Sequence, residues 1–124
     1  MVPDHAGALF CAVRATGTAR SDIEWARARN IDGVAHVHLG KPDEALAAFT
    51  ATAERFATSI DTGQQVWQAT ALFNKGFTLG VLGRGEAEIA AYDDLLVRFG
   101  TAAELPLREL VAKARSHKKL LRKS

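Results

Sequence analysis

Four histidines and a single cysteine are the residues of this chain best suited to metal binding or nucleophilic chemistry. His36 and His38 are two positions apart, so on a helix they point to different faces and cannot form the i, i+4 pair of zinc enzymes. His5 and His117 are distant in sequence, and Cys11 has no second cysteine with which to form a disulfide. We therefore expect no metal ion and no other cofactor.

Catalytic patterns are also missing from the sequence. No spacing of serine, histidine and aspartate singles out a nucleophile with its base. There is no glycine-rich phosphate loop, and we interpret Gly83-Arg84-Gly85 as a turn between two helices. We therefore expect a protein without enzymatic activity.

The composition is that of a globular chain rich in helix. Its 124 residues predict a single domain, and 48% of them are apolar and 24% charged. Alanine is frequent and β-branched residues are sparse, which favours helix. The N-terminal residues carry Asp4 and no basic leader, and no apolar run approaches the length of about 18 residues that a membrane span needs. We expect a soluble, cytoplasmic protein.

An internal repeat with a period of 43 residues organises most of the sequence. Leu39-Gly40 falls on Leu82-Gly83 at this offset, and nine identities occur over residues 26–56 without a gap. Such self-similarity is the signature of repeat architectures. The other identical pairs are Gly33/Gly76, Ala26/Ala69, Ala28/Ala71, Ala47/Ala90, Ala48/Ala91, Arg55/Arg98 and Phe56/Phe99.

The capping residues and the apolar spacing predict two helices in each repeat. In the first repeat, one helix covers residues 22–39 behind a Ser21/Glu24 capping box, and the next starts at Pro42. In the second repeat, Thr62 with Gln65 is the predicted cap of a helix that ends near residue 82. A further helix is predicted from residue 86 to 99, and a last one from about 105 to 122.

Gly33 and Gly76 lie inside predicted helices, where glycine costs about 1 kcal/mol relative to alanine. One interpretation is a weak point or a break in each helix. We favour the other interpretation, in which the paired helix approaches closely at both glycines, because both occupy one repeat register.

These motifs resemble the tetratricopeptide repeat (TPR) family over about residues 22–118. Helix A of that family has a small residue midway, a Leu-Gly turn follows, and helix B carries alanines and an aromatic residue. The period of 43 residues exceeds the usual length of about 34 and is similar to the long-repeat variant of about 42 residues in proteins of the kinesin-light-chain kind. Glu88 departs from the alanine that the family usually has there. The matching segments are Asn74-Lys75-Gly76, Leu82-Gly83 and Ile89-Ala90-Ala91-Tyr92, with Gly33, Leu39-Gly40 and Ala45-Leu46-Ala47-Ala48-Phe49 before them.

The resemblance implies an all-α fold of antiparallel helix-hairpin repeats, stacked as a short right-handed α-solenoid. A single TPR-like domain would cover residues 1–124. Its predicted parts are a half repeat resembling helix B at 1–20, repeat 1 at 21–60, repeat 2 at 61–103 and a terminal basic helix at 104–124.

The resemblance also implies a protein–protein interaction scaffold, whose helix A residues line a concave groove for a peptide or a partner helix. Alternatives stay open for some of these residues. Phe73 and Phe77 are explained equally well as core residues. For Asn30 and Asn74 we favour the alternative of ordinary solvated helix residues over the binding of a ligand backbone. By register, the predicted groove residues are Arg27, Asn30, Ile31, Val34 and His38, then Thr70, Phe73, Asn74, Phe77 and Val81, and then Lys113, Ser116, His117 and Leu120.

The basic C-terminal end suggests an alternative function, the binding of nucleic acid or of an acidic partner. Cations at a helix C-terminus also complement its dipole, and this simpler account makes nucleic acid the less favoured partner. We further expect that terminal helices left unpaired would allow homo-oligomers to form. The predicted basic patch consists of Lys113, Arg115, Lys118, Lys119, Arg122 and Lys123.

Overall fold

A computed structural model describes residues 22–123, with side chains as far as residue 121. This part of the chain contains five α-helices joined by short loops. No strand occurs in that part of the chain, so the all-α prediction is confirmed for these residues. The half repeat predicted at residues 1–20, with His5 and Cys11, and the Ser21 cap lie outside it. The helices are α1 (Asp22–His38), α2 (Pro42–Arg55), α3 (Thr62–Val81), α4 (Gly85–Phe99) and α5 (Leu105–Lys123).

The helices begin where local chemistry favours a start. Pro42 is the first residue of α2, where its missing N–H removes no intrahelical hydrogen bond. The predicted Thr62 cap of α3 is wrong, because Thr62 is already helical. Asp61 is the cap instead: its backbone is extended, and its Oδ1 accepts the N–H of Gln64 at 2.9 Å.

Both repeats end their first helix with the same glycine turn. Gly40 and Gly83 each have a φ of 73°, a left-handed conformation that glycine adopts without steric cost. The Gly40 N–H donates to the carbonyl of Val37 at 3.1 Å, and the next N–H donates to the carbonyl of His36 at 2.8 Å. The bonds around Gly83 have the same pattern, so the predicted stop signals are confirmed.

The two hairpins, α1–α2 and α3–α4, are held closed at their interior glycines. A methyl group at Gly33 would lie 2.5 Å from Cε1 of Phe49, and one at Gly76 would lie 2.9 Å from Cδ1 of Tyr92. The aromatic ring of the second helix therefore occupies the space that a larger side chain on the first helix would need. The close approach predicted for both glycines is confirmed, in one register.

Each helix packs against the next along the chain, and the odd-numbered helices also contact one another. α1 packs against α3, and α3 against α5. In contrast, no Cα atom of α2 lies within 8 Å of a Cα atom of α4. The odd-numbered helices α1, α3 and α5 thus form a continuous layer. In contrast, α2 and α4 both pack against α3 but do not reach each other.

The main hydrophobic core extends from the end of the first hairpin to α5. Small residues on α3 allow the neighbouring helices to approach, and large residues on α4 and α5 fill the remaining space. The buried members of this cluster are Ala53, Ala69, Ala71, Leu72, Tyr92, Leu95, Phe99, Leu107, Val111 and Ala114.

Candidate functional site

The outward side chains of α1, α3 and α5 at the predicted groove positions form one surface, here called the A face. The hydrogen bond between Asn30 and Asn74 and the ring contact between Phe73 and His117 both join residues 44 positions apart. The alignment of α1 against α3 is therefore the same as the alignment of α3 against α5. Equivalent positions of successive repeats consequently lie in rows across this face.

An apolar row crosses the A face. Val34, Phe77 and Leu120 occupy one repeat position and are 40%, 49% and 67% exposed. Ile31 and Val81, two further predicted groove residues, are also exposed. Exposed apolar side chains are ordinary when scattered singly, but contiguous ones are typical of interaction surfaces.

A pocket of about 140 Å³ opens beside this row, between α1 and α3. Phe49 of α2 is buried and lines the pocket with Val34 and Phe77, so its wall is largely apolar. Asn74 and His38 supply polar atoms at the same pocket. A few polar groups in an apolar concavity are the usual composition of a binding site.

The two asparagines of the A face bind each other. Nδ2 of Asn74 donates to Oδ1 of Asn30 at 2.9 Å, and both side chains are half-buried. This bond joins α1 to α3 beneath the apolar row. The asparagines are thus neither simply solvated nor wholly free for a ligand, since one polar atom of each is used to hold the face together.

Phe73 and Phe77 have different environments although both were predicted for the groove. Phe73 is half-buried against the core, with its ring centroid 5.8 Å from that of Tyr92 and 5.2 Å from that of His117. Phe77 is on the surface. The alternative of a core role therefore fits Phe73, and the groove role fits Phe77.

A polar cluster that the sequence did not predict joins α4 to α5. Its members are Glu88 and Tyr92, which are buried, and His117, which is half-buried; we call these three residues the polar joint. The Tyr92 hydroxyl donates to Oε2 of Glu88 at 2.8 Å and lies 3.5 Å from Nδ1 of His117. Tyr92 is 0% and Glu88 8% exposed. Burial, together with the hydrogen bond and the charge of Glu88, raises the pKa of Tyr92 well above its ordinary value.

One signal for the polar joint was visible in the sequence. Glu88 replaces the alanine that stands at position 45 of the first repeat, and Tyr92 replaces Phe49. A third position differs between the repeats, because Gly80 stands where the first repeat has Val37. The structure shows why: a methyl group at Gly80 would lie 2.7 Å from Oε1 of Glu88. The contact with His117 depends on packing between helices and has no local signal.

The predicted basic patch is only partly available on the surface. Lys118 forms an ion pair with Asp93, and the Arg115 guanidinium donates to the carbonyl of Gly100 at 3.2 Å. Lys113 and Lys119 are exposed. Of Arg122 and Lys123, only the backbone is described. Of the four cations whose side chains are described, Lys113, Arg115 and Lys119 are thus open to solvent, and Lys113 also belongs to the A face.

The remaining groove positions frame the A face. Arg27, Ser116 and His38 are exposed, and Thr70 is half-buried with its hydroxyl donating to the carbonyl of Val66 at 2.8 Å. None of the predicted groove positions is an aspartate or a glutamate. The A face therefore combines apolar, amide and cationic groups.

The histidines of α1 bind their own helix. Nδ1 of His36 lies 2.9 Å from the carbonyl oxygen of Asp32, and Nδ1 of His38 lies 3.0 Å from that of Val34. Within residues 22–121, no three His, Cys, Asp or Glu side chains are grouped so that they could hold a metal ion.

Comparison with protein-family models, with curated proteins and with solved structures finds no match for this chain. None of the five described helices is long and apolar enough to cross a membrane.

Proposed function

We propose that this protein is a non-enzymatic scaffold that binds a peptide or a partner helix through the A face. The observation that carries the proposal is the exposed row of Val34, Phe77 and Leu120, of which the first two line a pocket between α1 and α3. Burial of apolar area is the main driving force for association, and about 25 cal/mol is gained for each Å² removed from water.

The fold that we propose with this function is a short right-handed α-solenoid of the TPR kind, in its long-repeat form. The common register of the α1–α3 and α3–α5 contacts supports it, as do the repeated glycine turns. Contact between odd-numbered helices, together with the separation of α2 from α4, supports a stack with the A face on its inner side.

The partner that suits this surface is amphipathic. Its apolar residues would cover the row and enter the pocket between α1 and α3. Its polar or acidic residues would meet Arg27 and Lys113, which are exposed at one end of the face. Electrostatic complementarity of this kind mainly selects the partner and speeds association, whereas the buried apolar residues supply most of the affinity.

The test is selection from a random peptide library displayed on phage, followed by affinity measurements with the selected peptides. Phe77→Ser and Val34→Ser are expected to weaken binding by about tenfold or more, because both remove apolar area from the centre of the contact. Val97→Ser is the matched control, since Val97 is 86% exposed but belongs to α4.

Two results would contradict the proposal. One is equal loss of affinity in the Val97 control, and the other is full affinity in both A-face variants. A labelled oligonucleotide titrated at low salt tests the alternative function: saturable binding that Lys113→Ser and Lys119→Ser together abolish would favour nucleic acid instead.

A further inference from the structure

The first contact between odd-numbered helices, α1 with α3, and the second, α3 with α5, differ at three equivalent positions. At the second contact these positions hold Phe73, Tyr92 and His117, whose ring centroids are 5.2 to 5.8 Å apart. The ring of His117 meets each of the other two at 73°, the edge-to-face geometry that aromatic groups favour. The second contact is thus filled by three aromatic rings.

The first contact keeps only one of these rings. At the repeat offset of 43 residues, the equivalent positions hold Asn30, Phe49 and Asn74. The two asparagines are hydrogen-bonded to each other, with Nδ2 of Asn74 donating to Oδ1 of Asn30. Asn74 has no ring with which to cover Phe49 in the way that His117 covers Tyr92.

The pocket of about 140 Å³ between α1 and α3 lies at this place. Phe49 and Asn74 both line it, and Val34, Val37 and Phe77 supply further apolar wall. A dry cavity of about 150 Å³ holds benzene, so this pocket has the size of one aromatic ring.

The three polar side chains that line the pocket already have partners within the chain. Asn74 is bonded to Asn30, and the hydroxyl of Thr78 donates to the backbone carbonyl of Asn74 at 2.7 Å. Nδ1 of His38 lies 3.0 Å from the carbonyl oxygen of Val34. A group that fills the pocket is therefore stabilised mainly by burial of apolar surface.

The charge of the A face indicates what stands beside that group. No predicted groove position is acidic, and Arg27 is exposed. Arg27 precedes Val34 by two helical turns on the same side of α1, which is about 10 Å at a rise of about 1.5 Å per residue. An extended peptide covers that distance in about three residues, so an acidic residue at that spacing would meet Arg27.

We propose that the pocket between α1 and α3 receives one aromatic side chain of the partner, for which the phenyl ring of phenylalanine is the model. The ring would meet Phe49 as the ring of His117 meets Tyr92, and Val34 and Phe77 would flank it. An acidic residue of the partner, about three positions away, would pair with the cation at position 27. This inference rests on the proposed function of the A face and names the residue that anchors the partner.

The first test examines the pocket without a peptide. N-acetyl-phenylalaninamide and N-acetyl-cyclohexylalaninamide are titrated separately into the ¹⁵N-labelled full chain. The phenylalanine compound is expected to shift the amides of Val37, Phe49 and Phe77 in a saturable manner. The cyclohexyl compound has a ring of similar size without π electrons, and is expected to bind roughly threefold to tenfold more weakly. Absence of saturable shifts with the phenylalanine compound, or equal affinity for the two, overturns the proposal.

Variants at the pocket provide the second readout. Asn74→His gives the first contact the residue of the second, and is expected to abolish binding of the phenylalanine compound while the helical circular dichroism is retained. Val97→His is the matched control, because it places the same ring on α4 at a position that is 86% exposed, and it is expected to leave the affinity unchanged. Wild-type affinity in a folded Asn74→His protein, or an equal loss in the control, contradicts the site.

If Asn74→His does not fold, Phe77→Leu still decides the question. It keeps an apolar side chain at an exposed position and removes one aromatic wall. Binding of the phenylalanine compound is expected to weaken about threefold, with the affinity for the cyclohexyl compound unchanged. An equal loss for both compounds, or a loss for neither, contradicts an aromatic site.

Peptides selected on the A face separate this inference from the function on which it rests. Replacing the aromatic residue of such a peptide by alanine is expected to weaken binding about thirtyfold, the effect of losing a central anchor. Replacing its acidic residue is expected to weaken binding to the wild type about threefold and binding to Arg27→Ser not at all. Peptides that shift A-face amides and keep their affinity without the aromatic residue would leave the proposed function standing and overturn the anchor. A selection that yields no A-face peptide counts against the proposed function alone, since the amide titration tests the pocket by itself.

Discussion

The two hairpins solve one packing problem with different chemistry. In both, an aromatic ring of the second helix lies over a glycine of the first, Gly33 under Phe49 and Gly76 under Tyr92. In the first hairpin the ring is Phe49 and the residue four positions before it is Ala45, so neither side chain carries a polar atom. The second adds a hydroxyl on the ring and a carboxylate at Glu88 to receive its hydrogen bond.

The difference shows that a polar change in a core requires several positions to change together. Tyr92 needs an acceptor, Glu88 supplies it, and Gly80 leaves the space that the carboxylate occupies. The equivalent residues in the first repeat are Phe49, Ala45 and Val37. Each polar residue in this set would be costly alone, because a buried polar group without a partner loses its hydration.

The largest expected effect comes from filling the shared glycine position. We expect Gly33→Ala to lower the free energy of unfolding by about 2 kcal/mol and Gly76→Ala by about 3 kcal/mol, since overpacking outweighs the gain in helix propensity. The second loss is larger because the Tyr92 ring is also held by Glu88. Urea unfolding measures both, and Gly85→Ala is the control, because its new methyl group would have nothing within 4 Å. Stabilisation by either interior substitution would show that the close approach is absent.

The next effect comes from removing the hydroxyl of the polar joint. Tyr92→Phe is expected to cost about 2 kcal/mol, because it leaves the buried Glu88 carboxylate without its donor. Adding Glu88→Ala, which restores the pair found in the first repeat, is expected to recover part of that loss. A double-mutant cycle by urea unfolding checks this. Strictly additive losses would mean that the two residues do not interact.

The pH dependence of the free energy of unfolding distinguishes the two hairpins, because only the second contains a tyrosine. The folded-state pKa of Tyr92 is raised, so its contribution to stability is complete below the unfolded value of about 10 and is lost as the pH rises through the folded value. Relative to Tyr92→Phe, the wild type should lose up to about 1.4 kcal/mol per pH unit above pH 10. Tyr92 is the only tyrosine, so tyrosinate absorbance reports it directly. Parallel stability curves for the two proteins would contradict the raised pKa.

A smaller effect tests the space left for Glu88. Gly80→Ala is expected to destabilise the protein by about 1 kcal/mol, because the new methyl group meets a carboxylate at the end of a flexible side chain that shifts in part. In a Glu88→Ala background the same substitution should stabilise α3 by up to about 1 kcal/mol through helix propensity. Thermal unfolding of the four proteins gives the comparison, and the same sign in both backgrounds would refute it.

Local signals in the sequence were enough to predict the hairpins. Gly40 and Gly83 mark helix ends through a backbone conformation that few other residues adopt, and Pro42 marks a start through its missing N–H. The cap of α3 was misplaced by one residue, because Asp61 and Thr62 are both good capping residues and only backbone geometry separates them.

The candidate site was harder to predict because it depends on contacts between helices. Periodicity places Phe73 and Phe77 on one side of α3 but does not show that His117 of α5 covers the first and leaves the second exposed. The pairing of Asn30 with Asn74 and the polar joint are contacts of the same kind. These contacts depend on how the helices of successive repeats are aligned. The repeat period suggests that alignment, but the packing of the helices fixes it.

Mapping of a bound peptide on the structure is the sharpest test of binding at the A face. A peptide selected on the purified protein would be titrated into the ¹⁵N-labelled chain, and the shifted amides located on the structure. The largest shifts are expected at Val34, Asn74 and Phe77, with little change at Val97. Large shifts confined to α2 and α4, with none on α1, α3 and α5, would contradict it.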